Sequence, residues 1–159
     1  MTDTNAYPDT YTVANVEEHV GREFGPSVPV TVDQERIQGF ADVTGDQQWI
    51  HVDVARAEKH SPFGGPIAHG YLTLSLLAAA QMDLGIVPDG SKGVMNYGLD
   101  KVRFLAPVPS GADVEVSAVL TGVERKDGGR ILIRSTVTAK VVGADAPALI
   151  AESLAMAFG

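Results

Sequence analysis

One run restricts this chain more than any other. From His69 to Leu84 the sequence places Leu, Met and Ala on nearly every face of a helix, and Gly85 stands where such a helix would close. A helix that is apolar all round has to be covered all round. It falls short of the roughly 20 apolar residues a bilayer crossing needs, and Thr73, Ser75, Gln81 and Asp83 interrupt it. The cover must therefore come from the rest of the chain.

The second half supplies it. From Tyr97 onward the apolar period changes to two. Val102, Phe104 and Val108 alternate with Lys101 and Arg103, and Val114, Val116, Ala118 and Leu120 with Asp113, Glu115 and Ser117. Ile131, Ile133, Val137 and Val141 alternate with Arg130, Arg134, Thr138 and Lys140; Ile150, Leu154, Met156 and Phe158 sit opposite Ala151, Ser153 and Ala155. Lys126-Asp127-Gly128-Gly129 reads as one hairpin turn and Ala144 to Pro147 as another. Helices followed by a run of antiparallel strands is the α+β pattern, and it predicts a sheet curled around the one apolar helix.

Ahead of that helix, residues 1–14 are polar and are expected to form a loose arm. Asn15 to Gly21 reads as a short helical turn and Ser27 to Val32 as extended. Asp33 is an N-cap for a helix whose stripe is Ile37, Phe40 and Ala41, ended by Thr44-Gly45-Asp46. A helical turn over Asp53 to Lys59 leads to the breaker Pro62-Phe63-Gly64-Gly65-Pro66. No linker or repeat divides the 159 residues, so a single domain over 1–159 is expected.

Composition removes several functional classes. Without cysteine there is no disulfide, thiolate metal site or Cys nucleophile. Twelve basic residues against 20 acidic ones, a net charge of −8, argue against a nucleic-acid partner. The first residues carry neither a basic region nor an apolar one behind it, so a cytoplasmic protein without membrane insertion is expected. Dinucleotide, P-loop and nucleophile-elbow motifs are all missing.

Polar and ionisable residues concentrate in Thr44 to Asp53 and again in Phe63 to Gly70. Asp46 and His51 lie five positions apart in a stretch that does not read as helical. A carboxylate and an imidazole converging in a partly dry site can share a water and move its proton. Equally, Asp46 can cap a turn while His51 is a satisfied buried histidine, and spacing by itself favours this second reading. His69 can contact a ligand or hold the loop. His19 and His60 read as surface residues. His51, Asp53, His60 and His69 have no metal-ligand spacing, so no metal and no other cofactor is expected. Lys101, Arg103, Arg125, Lys126, Arg130 and Arg134 read individually as a solvated sheet face, although a few could rim a phosphate-bearing ligand. Thr73 and Ser75 are expected to bond back to the preceding turn.

Two blocks taken together carry a resemblance. Gly45-Asp46-x-x-x-Ile50-His51-x-Asp53, followed by Phe63-Gly64-Gly65-x-Ile67-Ala68-His69-Gly70, resembles the signature of the MaoC-like dehydratases, the (R)-specific enoyl-CoA hydratases or hydratase 2 enzymes. Lys101 to Val108 is similar to the strand that follows the helix in that family, and the likeness spans about Val30 to Phe158, nearest the single-hotdog branch that includes NodN-like proteins. The resemblance implies a hotdog fold, an antiparallel sheet wrapped around a long central helix. It implies a hydro-lyase of fatty-acid metabolism that adds water across the 2,3 double bond of an enoyl-CoA or enoyl-acyl-carrier-protein thioester, and a homodimer. By position, Asp46 and His51 match the catalytic dyad, and Gly70 matches the glycine whose N–H binds the thioester oxygen, with His69, Gln48 and Trp49 around the substrate. Gln48-Trp49 stands where the family usually has Asn-Pro, which bears on substrate fit more than on the reaction. A hotdog acyl-CoA thioesterase and a non-catalytic acyl-ligand protein are the alternatives.

Overall fold

In the computed structural model, which describes residues 7–159, the four long strands and the apolar helix form as the periodicities predict. A 3-10 turn over Val16–His19 leads to two short strands, β1 (Glu23–Phe24) and β2 (Val30–Val32). Three helices follow, α1 (Gln34–Thr44), α2 (Trp49–Val52) and α3 (Val54–His60), then the long helix α4 (Gly70–Asp83). The strands β3 (Gly93–Phe104), β4 (Ala112–Lys126), β5 (Arg130–Val141) and β6 (Leu149–Phe158) complete an antiparallel sheet. Its order is β1-β4-β5-β6-β3, with β2 on the same edge of β4 as β1. This is the hotdog arrangement, with α4 against the middle of the sheet.

The local reasons are those of the sequence. The Asp33 carboxylate accepts from the Arg36 N–H, and Gly45 takes the left-handed φ of 82° that ends α1 and turns the chain into the site. Turning from β4 to β5 requires positive φ at both Gly128 and Gly129. The core is one cluster in which Leu72 and Leu77 of α4 meet Val116, Leu120, Ile133 and Val137. No helix among the described residues is long and apolar enough to cross a membrane.

Several expectations need correction. Residues 1–6 of the expected arm lie outside the described residues, but the rest is docked: the Tyr11 hydroxyl donates to the Ile86 carbonyl at 2.6 Å and its ring meets His19 and Phe24. That burial pushes the Tyr11 phenol up to about 12. His19 is fully buried rather than on the surface, stacked on Tyr7, with Nε2 donating to the Thr10 carbonyl and Nδ1 accepting from Arg22. The Trp49–Val52 segment is helical, a single turn too short to show a period.

α4 is not covered all round either. Leu72, Thr73, Leu77 and Ala80 are buried, whereas Tyr71, Ser75, Ala79 and Met82 form an exposed stripe. One sheet offers one face, and β3 is a free edge whose Met95, Tyr97 and Leu99 are exposed beside that stripe. On β6 the bulky residues turn away from the helix: Ser153 and Ala155 line the space against α4, because a helix lying close across a strand leaves room only for small side chains. Ser75 does bond back, to the Tyr71 carbonyl at 2.7 Å. Three of the six basic residues are engaged in exposed ion pairs: Lys101 with Glu152 (2.6 Å), Arg125 with Glu17 (2.8 Å) and Lys126 with Glu124.

Candidate active site

Three chain segments meet at the start of α4. Gly45 delivers Asp46 into a tight turn, where its Oδ1 accepts from the Gln48 N–H at 3.3 Å. α2 carries His51 inward, to 6% exposure. The Gln34 amide of α1 donates to the His51 carbonyl at 2.7 Å and fixes that turn from behind. The third segment, Ile67 to Gly70, is sewn in on both sides: the Ile67 N–H donates to the Ile50 carbonyl (3.1 Å) and the Ala68 N–H to the Val108 carbonyl (2.8 Å). The two sequence blocks are thus brought together by main-chain bonds.

Hydrogen bonding fixes the protonation pattern of both histidines. His51 Nδ1 lies 2.7 Å from the Ile67 carbonyl, and a carbonyl only accepts, so Nδ1 carries the proton and Nε2 is left as a lone pair when the ring is neutral. His69 Nε2 lies 2.9 Å from the Asp46 main-chain carbonyl, so its proton is on Nε2 and its lone pair on Nδ1. The two rings stack at 3.9 Å between centroids and 27° between planes. Burial holds the His51 imidazole below its ordinary value of 6.5; the charge of a protonated His69 acts in the same direction, while the Ile67 carbonyl and Asp46 oppose it. Neutral His51 with a free Nε2 is a ring able to take a proton near neutral pH.

Asp46, exposed, brings a carboxylate oxygen within 4.8 Å of a ring nitrogen of both His51 and His69. These three are the one group among the described residues close enough to share a metal ion, and Asp53 and His60 stand apart from it on exposed positions. Both sequence readings of the pair turn out to describe the same atoms: Asp46 caps a turn and His51 is a satisfied buried histidine, yet the two also converge.

Beside them a cavity of about 260 Å³ opens at the N-terminus of α4, lined by Ile67, Ala68, Gly70, Thr73 and Phe104. The Gly70 N–H has no hydrogen-bond partner among the described residues and lies at the positive end of a 14-residue helix. A second, separate cavity of about 410 Å³ lies farther along α4, beside Leu74, Leu77 and Gln81, with Asn96 and Ser153 opposite. Gln48 and Trp49 line neither cavity; Trp49 lies 4.4 Å under the Arg56 guanidinium instead. Nothing in the residue types foretold Gln34 or Phe104, whose roles come from contacts over long sequence separations.

The geometry has relatives. A MaoC-like domain profile matches residues 15–142. The chain is 46% identical over 142 residues to 3-hydroxyacyl-thioester dehydratase Z of Mycobacterium tuberculosis, covering 89% of this chain and 93% of that protein. It is 43% identical over 142 residues to nodulation protein N of Rhizobium leguminosarum bv. viciae, covering 88% and 87%. Among solved structures, an unliganded (R)-hydratase from Pseudomonas aeruginosa superposes with a TM-score of 0.69 at 28% identity, over 94% of this chain and 86% of that one.

Proposed function

The chain belongs to the MaoC-like domain family, a hydratase and dehydratase kind of hydro-lyase, and from that premise we propose that it interconverts trans-2-enoyl-CoA and (R)-3-hydroxyacyl-CoA thioesters. The observation that carries this reading is the convergence of Asp46 and His51 beside the unpaired Gly70 N–H. An enoyl thioester is electrophilic at Cβ because its carbonyl withdraws electrons. The site's chemistry fits water attacking there. As the water O–H breaks, the proton passes to the Asp46/His51 pair, the hydroxyl bonds to Cβ, and the electron pair of the double bond moves toward the thioester oxygen. The Gly70 N–H and the helix dipole favour the negative charge on that oxygen. Return of a proton from the pair to Cα completes the addition. Dehydration is the same path reversed.

The thioester is assigned to the cavity at the start of α4, and the acyl chain to the trough farther along that helix. A second copy of the chain is the proposed partner: pairing of the two β3 edges would cover Met95, Tyr97, Leu99 and the open stripe of α4. His69 is treated below. Gln48 and Trp49 act at most indirectly on substrate fit, by shaping the turn between Asp46 and His51.

The test is hydration of crotonyl-CoA followed by loss of enoyl-thioester absorbance. Asp46→Asn and His51→Gln are each expected to lower kcat by about 10²–10⁴-fold with the fold retained by circular dichroism. Wild-type turnover in both variants would refute the assignment. Release of free thiol from acyl-CoA would point to the thioesterase alternative, and ligand binding without turnover to a non-catalytic acyl-binding protein.

A further inference from the structure

A buried imidazole beside the dyad is not accounted for by that mechanism. His69 is 2% exposed, stacked on the His51 ring at 3.9 Å and against the tilted Phe40 ring at 5.0 Å. Its Nε2–H donates to the Asp46 carbonyl, and its Nδ1 is buried with no hydrogen-bond partner among the described residues. An unpartnered buried acceptor is destabilising, and an apolar side chain between two rings would not incur that penalty. The position calls for something only an N–H donor on an aromatic ring supplies.

Both halves of that requirement lead to the dyad. Asp46 sits in an exposed turn held otherwise by local hydrogen bonds, to the Thr44 hydroxyl and from the Gln48 N–H. The bond from His69 spans 23 positions and is what ties the Asp46 main chain to the start of α4. His51 is held at Nδ1 by Ile67, but that single bond leaves the ring free to tilt about it; the His69 face closes off one side. We infer that His69 is the positioning residue of this site: it sets Asp46 through the main chain and His51 through its ring face, and does not itself exchange protons with substrate.

One electrostatic condition follows. The titratable groups facing His51 are Asp46, from the turn after α1, and His69, from the start of α4. A positive charge on the stacked ring opposes proton uptake by His51, and the bond to a carbonyl places a proton on His69 Nε2.

Two variants separate the two contributions. His69→Phe keeps a ring face against His51 and removes the donor; His69→Gln keeps a donor and removes the ring. The kinetic readout rests on the hydratase reading. Here kcat for crotonyl-CoA is expected to fall by about 10²-fold in His69→Phe and by about 10-fold in His69→Gln, with KM within about twofold. Imidazole 15N spectra of the folded protein read the same inference without any activity. They should show His51 as the Nδ1–H and His69 as the Nε2–H tautomer. Wild-type kcat in both variants, or activity lost only in proportion to folded protein, would overturn the inference, as would an Nδ1–H tautomer at His69. An enzyme that hydrates nothing but shows these spectra would refute the hydratase reading and leave the positioning role standing.

Discussion

At Gly70 the tolerance is one hydrogen atom. A Cβ there would lie 3.0 Å from two ring carbons of Phe104, while the N–H has to stay open to a ligand. In an ordinary helix Gly→Ala is stabilising by roughly 0.5–1 kcal/mol. Gly70→Ala should therefore leave the melting temperature within a few degrees of wild type but displace Phe104 or the thioester, and a misplacement near 1 Å can lower turnover by about 10²-fold. Steady-state kinetics set beside a thermal melt separate the two effects. The residues of the site were legible to different degrees. Asp46, His51 and Gly70 stood out only through the resemblance of two sequence blocks to a family signature, since spacing alone favours a turn cap and a satisfied histidine. His19 was misread because nothing local shows that Tyr7 and Tyr11 fold back over it. His69 could be located but not given its task, since its partner at Asp46 depends on a tertiary bond.

At the level of elements, long periodic segments were readable and short ones were not. α4 and the strands β4, β5 and β6 repeat their pattern often enough to declare themselves, whereas the single turn of α2 has no second turn to confirm it. The same helix shows what pattern cannot tell. Its sequence says that it is apolar on every side, but how much of it this chain covers depends on the sheet's edge, and one stripe stays open. The buried side can be tested directly. Leu77, 2% exposed, packs into the core cluster, and Leu77→Ala should cost about 2–5 kcal/mol, seen as a lower midpoint in urea or heat. Because Leu77 also lines the larger cavity, the same variant should tolerate bulkier acyl chains, which a panel of enoyl-CoA lengths would reveal.

For the whole molecule the open question is the β3 edge. Leu99, Tyr97 and Met95 are 45–61% exposed on an unpaired strand, the arrangement proteins usually cover or charge. Leu99→Lys places a charge in the proposed seam between two copies. Sedimentation should move from dimer to monomer while the far-ultraviolet spectrum stays native; a wild-type protein that sediments as a monomer at micromolar concentration would remove the partner proposal.

The strand order has a further effect, on timing. β6 lies between β5 and β3, so the piece of sheet that faces the second half of the trough is last of the described elements to leave the ribosome. Until it arrives, β3 has nothing to zip onto, however early it was synthesised, although β4 and β5 already lie against α4. Nascent chains halted after β5 should therefore expose the unpaired β3 to chaperones, and closure of the sheet waits on residues synthesised well after the Asp46–His51 turn.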